Sequence, residues 1–121
     1  MQDKNTDDIL HHIIDGAQDR KGRSITVVDL SAIDTAAARR FIIVEGSSTT
    51  QTGAIAEGID KRVRELTGIK PLGAIGLRNG DWIIMDYGDT WVHIFLPAVR
   101  SRFNLEELWG DASIINIPDL D

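Results

Sequence analysis

Gly46-Ser47-Ser48 closes a run of β-branched residues and opens a helical pattern, a place where free backbone N–H groups can hold a phosphate. Nucleotidyl transfer at such a turn also needs two acids, usually one residue apart on the next strand, to hold Mg²⁺ for in-line attack. Nothing after Ser47 supplies that pair: Glu57 and Asp60 are three apart on a helical pattern, and Asp86 and Asp89 are separated by two residues across a tight turn. The plainer reading of Gly46-Ser47-Ser48 is a strand-to-helix turn with N-capping hydroxyls. A nucleotidyltransferase or nucleotide-binding enzyme is retained as the alternative.

Other chemistry is weaker still. His11 and His12 are adjacent on one helix and point about 100° apart, while His93 alternates with Val92 and Ile94 in a strand pattern and reads as structural. HExxH, CxxC and Walker A patterns are missing, and no serine sits in a nucleophile elbow. The sequence therefore predicts no catalytic residue, no metal site and no cofactor.

The elements that would position any site can be read from periodicity. Ile9, Leu10, Ile13, Ile14 and Ala17 give a helix over 6–20 with Thr6 as N-cap and Lys21-Gly22 as its close. Residues 24–30 and 40–45 read as buried strands, and the alanine-rich stretch between them fits either a short helix or a loop. Ile55, Ile59, Val63 and Leu66 mark a second helix from about Thr49 to Gly68, followed by a short strand over 73–77 in a βαβ-like crossover. Residues 82–87 and 90–96 flank Gly88-Asp89 as a β-hairpin, and Pro97 leads into a helical segment interrupted near Asn104. Trp109 is expected to pack on the sheet. The sum is an α/β (α+β) fold with a mixed sheet of about five strands: one domain over 1–112 and a weakly structured tail over 113–121.

With 42% hydrophobic and 26% charged residues, the 121-residue chain has the composition of a single globular domain. Apolar runs are far too short to cross a bilayer, the N-terminus is acidic rather than signal-like, and cysteine is absent, so a cytoplasmic location is expected without membrane contact. A formal charge of −6 disfavours general attraction to phosphate backbones and favours a basic protein partner.

The string Asp81-Trp82-Ile83-Ile84-Met85-Asp86-Tyr87-Gly88-Asp89, followed by Val92-His93-Ile94-Phe95, resembles the signature hairpin of the ribosomal silencing factor (Iojap-like) family. Phe103-Asn104-Leu105-Glu106-Glu107-Leu108-Trp109 resembles that family's aromatic-x-LExLW ending, and Phe41-Ile42-Ile43 with Gly46 and Ser48, and Pro71-Leu72-Gly73, fit its order. Two departures are visible: Ala38, Arg39 and Arg40 stand where the family usually has Thr-Asp and a small or aromatic residue, and the tail after Asp111 extends past the common end.

The resemblance implies a nucleotidyltransferase-like fold without catalytic acids. It also implies a non-enzymatic protein that docks on the fourteenth protein of the large ribosomal subunit, sterically blocks subunit joining and represses translation, and a possible homodimer. On the hairpin, Trp82, Met85 and Tyr87 offer apolar contact to such a partner, and Asp81, Asp86 and Asp89 offer charge. Strand alternation limits this set, since Trp82, Ile84 and Asp86 share one face and Ile83, Met85 and Tyr87 the other, so one group must serve the core. From Asp81 to Asp121 eight acids face only Arg100 and Arg102, a balance that should speed encounter with a basic surface.

Overall fold

The computed structural model describes residues 4–108 and 112–120, so the packing expected of Trp109 lies outside the described residues. The elements run α1 (Lys4–Asp19), β1 (Arg23–Asp29), β2 (Arg40–Glu45), α2 (Thr49–Thr67), β3 (Gly73–Ile75), β4 (Trp82–Asp86), β5 (Thr90–Phe95), α3 (Pro97–Phe103), α4 (Leu105–Leu108) and β6 (Ser113–Asn116). The mixed α+β class is as the periodicity implies. The sheet, however, has six strands, in the order β3-β4-β5-β2-β1-β6.

The sixth strand corrects the expectation of a weakly structured tail. Ser113–Asn116 pairs antiparallel with β1, Thr26 opposite Asn116 and Asp29 opposite Ser113. Side chains fix it as well: Thr26 Oγ1 donates to Asn116 Oδ1 at 3.0 Å, the Ser24 amide donates to Asp119 Oδ1 at 2.7 Å, and Arg23 pairs with Asp119 at 3.0 Å. Ser24 sits in a left-handed conformation (φ 51°) at a register shift in β1, so its polar groups leave the ladder and need these outside partners.

Helix α1 starts at Lys4, ahead of the expected Thr6 cap, while α2 starts and stops where its cap residues dictate. Ser48 is extended and its side chain accepts from the Gln51 amide; Gly68, at φ 77°, donates its N–H to the Arg64 carbonyl. The crossover from β2 through α2 reaches β3, which runs parallel to β2 but with β4 and β5 between them. Residues 31–38 form turns rather than a helix.

Both long helices cover one face of the sheet. Ile13 and Ala17 from α1 and Ile55, Ile59 and Val63 from α2 pack on Val27, Ile42, Val44, Ile83, Met85, Val92 and Ile94. The two helices approach closely at Gly16, where a Cβ would lie 2.9 Å from the Gly58 carbonyl oxygen and 2.9 Å from Ile59 Cα. Those neighbours are backbone and cannot rotate aside. A Gly16→Val change should thus force the helices apart and cost about 3 kcal/mol, the upper end for overpacking. Urea denaturation showing a loss well under half of that would mean that the crossing is softer than it looks.

The opposite face has a smaller, partial cover. Val28, Leu30, Ala38, Phe41, Ile43 and Phe95 are buried there, with Ile33, Ala36, Val99, Leu105 and Ala112 packed against them. Arg100, on α3, fastens this cover to the sheet by donating to Glu45 Oε2 at 3.1 Å, Thr26 Oγ1 at 2.9 Å and the Ser24 carbonyl at 2.6 Å. Toward β3, no cover is formed by the described residues.

Candidate functional site

Alternation along β4 and β5 decides which hairpin residues can meet a partner. The register sets Trp82 opposite Phe95, Ile84 opposite His93 and Asp86 opposite Trp91, so all six lie on the partly covered face. Phe41 and Ile43 of β2 continue that face, being paired with Trp91 and His93.

The face carries a continuous aromatic layer. Trp91 stacks on Phe41 with ring centres 6.1 Å apart, Phe41 meets His93 edge-on at 4.5 Å, and Trp82 lies 4.9 Å from Phe95 and 4.7 Å from Phe103. The indole N–H of Trp82 donates to His93 Nδ1 at 3.1 Å. Since Nδ1 accepts, the neutral ring carries its proton on Nε2, which is enclosed and has no partner among the described residues. Burial lowers the His93 pKa to about 4, so the imidazole is neutral near pH 7.

The proposed contact residues separate into three groups. Asp81 and Asp89 are exposed at the two ends of β4's hairpin arm, and Asp86 is half-buried, its Oδ1 accepting from the Gly88 amide at 2.7 Å. Trp82 is half-buried, one side taken by Phe95 and Phe103. Met85 and Tyr87 point the other way, and Met85 leaves the contact set. Met85 is only 3% exposed in the main core. Tyr87 packs against the same core, its hydroxyl enclosed without a partner among the described residues, and burial together with the Asp60 carboxylate raises its pKa.

Residues outside that set complete the face. Gly73, Ala74, Ile75, Ile84, Asp86 and Trp91 line an apolar groove of about 280 Å³ at the β3 end. Ile75 is 65% exposed and Leu72 78%, while Ile84 and Trp91 are half-buried. The period-two pattern places Ile84 beside Trp82 and Asp86, and a two-residue Gly88-Asp89 turn sets Trp91 opposite Asp86, so both carried a signal in the sequence. Ile75 carried none, because its strand is three residues long.

The Gly46-Ser47-Ser48 turn is filled by the chain itself. The Ser47 amide and hydroxyl both donate to Gln51 Oε1, at 2.6 and 2.7 Å, where an anion would otherwise sit. Gln51 Nε2 then donates to the carbonyls of Arg20 and Lys21, tying the turn to the end of α1. Glu57 and Asp60, the acids of α2, pair with Arg20 and Arg64. Among the described residues no three His, Cys, Asp or Glu side chains stand together.

Fold and surface thus define a small α+β domain with a long-helix pair on one sheet face and a half-open aromatic face on the other. The chain belongs to the family described as ribosomal silencing factor during starvation, whose model matches residues 3–121 and so includes the β6 tail. It is 36% identical over 97 residues to a ribosomal silencing factor of Chromobacterium violaceum, covering 80% of this chain and 78% of that one. A ribosomal silencing factor of Bacillus subtilis is 34% identical over 113 residues, covering 93% and 94%. Among solved structures, a protein from Chromobacterium violaceum superposes with a TM-score of 0.80 at 35% identity, covering 86% of this chain and 85% of that one. Another, from Bacillus halodurans, gives 0.73 at 27%, covering 95% and 98%. No helix among the described residues is long and apolar enough to cross a membrane.

Proposed function

We propose that this protein is a non-enzymatic, cytoplasmic repressor of translation that docks its open hairpin face on a basic protein of the large ribosomal subunit and thereby excludes the small subunit. The family resemblance points to the fourteenth large-subunit protein as that surface. The observation that carries the reading is the groove itself: Ile75, Ile84 and Trp91 present apolar area to solvent beside Asp86, on a chain of net charge −6. Exposed apolar patches with a charged rim are the build of protein contact sites. The filled Ser47 turn supports docking over nucleotide turnover.

The homodimer implied by the resemblance has two edges available, β3 and β6, and the apolar residues Ile114 and Ile115 favour the second.

Sedimentation of separated ribosomal subunits with and without the protein, at two salt concentrations, tests the reading. The expected result is a protein-dependent loss of joined ribosomes and association with the large subunit that weakens as salt rises, since the acidic rim contributes through screened attraction. Unimpaired joining at saturating protein would refute it.

A further inference from the structure

We propose that β3 is a strand-addition edge: an extended segment of the docking partner, carrying an apolar residue and a neighbouring cationic one, pairs with the outward backbone of Ala74 and seats its apolar side chain against Ile75, Ile84 and Trp91. This rests on the docking reading above and adds how the partner is held.

The direction of the backbone groups follows from the hairpin. The Tyr87 amide donates to the Thr90 carbonyl at 2.9 Å and the Leu96 amide to the Asp81 carbonyl at 3.0 Å. Those bonds fix the parity of the antiparallel ladder, so the backbones of Ile83 and Met85 face β5 and those of Ile84 and Asp86 face β3. Gly73 and Ile75, opposite Asp86 and Ile84, turn their groups inward, and Ala74 between them presents its N–H and C=O to the outside. β3 ends the sheet, with no further strand beside it among the described residues.

Surroundings identify the occupant. Soluble proteins guard an exposed edge with charge, a bulge or a covering segment, yet residues 71–77 read Pro-Leu-Gly-Ala-Ile-Gly-Leu without a charge, and Leu72, Ile75 and Leu77 are 78%, 65% and 53% exposed. Among the described residues, the charged side chain lining the groove is Asp86, which asks for a cation at the groove mouth. Gly73, on the groove face of the strand, has nothing within 4 Å of where a Cβ would stand, leaving room for an incoming side chain. Backbone pairing with alternate side chains in pockets is the general form of β-augmentation.

A proline tests this without touching the groove. Ala74→Pro removes the outward N–H, and because that N–H makes no ladder bond to β4 the edge strand tolerates the ring. Ala74→Val keeps the N–H and the strand preference. With purified large subunits in a pelleting assay, Ala74→Pro should bind about tenfold more weakly than the wild type and Ala74→Val within about twofold, with equal melting temperatures. In the wild-type chain, amide exchange over residues 72–77 should slow on binding, which guards against a proline effect on folding. Wild-type binding by Ala74→Pro, or unchanged exchange over 72–77 in the complex, overturns strand addition and leaves docking in place. A wild-type chain that never pellets with large subunits overturns the docking reading and this one with it.

Discussion

An Ile84→Arg variant should lose about 100-fold in affinity for the large ribosomal subunit while folding normally. Ile84 is half-buried on the open face, opposite His93 and Ile75, and faces away from the helix-covered core that holds Ile83 and Met85. Burying an isoleucine in a contact is worth about 2–3 kcal/mol, and an arginine there adds a charge with little room to reach water. A loss of that size is about two orders of magnitude in affinity. Trp82→Ala makes a poorer probe, because the indole also packs on His93, Phe95 and Phe103 and its loss would mix unfolding with lost contact. Titration of labelled large subunits with the variant gives the number directly; affinity within a few-fold of wild type would move the contact away from the groove.

The second large effect concerns acid. His93 is 4% exposed and stays neutral in the folded protein until about pH 4, whereas in the unfolded chain it takes up its proton near pH 6.5. The unfolded state therefore binds more protons between those values, and stability falls as pH falls through the window. It is complete above pH 6.5, lower by about 2 kcal/mol at pH 5 and by about 3 kcal/mol near pH 4. His93→Gln keeps an acceptor for the Trp82 indole N–H and has no titration. Urea unfolding at pH 7 and pH 5 should show a much flatter dependence for this variant than for the wild type, and equal slopes would locate the acid sensitivity elsewhere.

Much of this architecture was legible in the residues. Ser48 and Gly68 bracket α2 because one side chain caps N–H groups and the other residue adopts a left-handed turn, both local decisions. The hairpin was legible for the same reason, as Gly88-Asp89 fixes its own register. Local rules cannot say which face of β4 the helices cover; packing decides it, placing Met85 and Tyr87 on the core side and Trp82 on the other. The groove depends on Ile75, placed by pairing with Ile84 rather than by any pattern in its own short strand. β6 is not legible in the sequence because Ser-Ile-Ile-Asn has no alternation long enough to read. Its partners lie about ninety residues away, in β1, where Thr26 bonds Asn116.

That last distance has a bearing on synthesis. Val27 and Val28 leave the ribosome early and pair with β2 on one side, but the other margin of their strand stays bare until Ile114 and Ile115 are clear of the ribosome and free to pair. During that interval the nascent chain carries an adhesive ribbon of isoleucine and valine, the kind of segment that chaperones shield and that misassociates in crowded polysomes. The two ends of the sequence must therefore meet before the valine-bearing margin of β1 is covered, which makes this pairing a late, long-range step of folding.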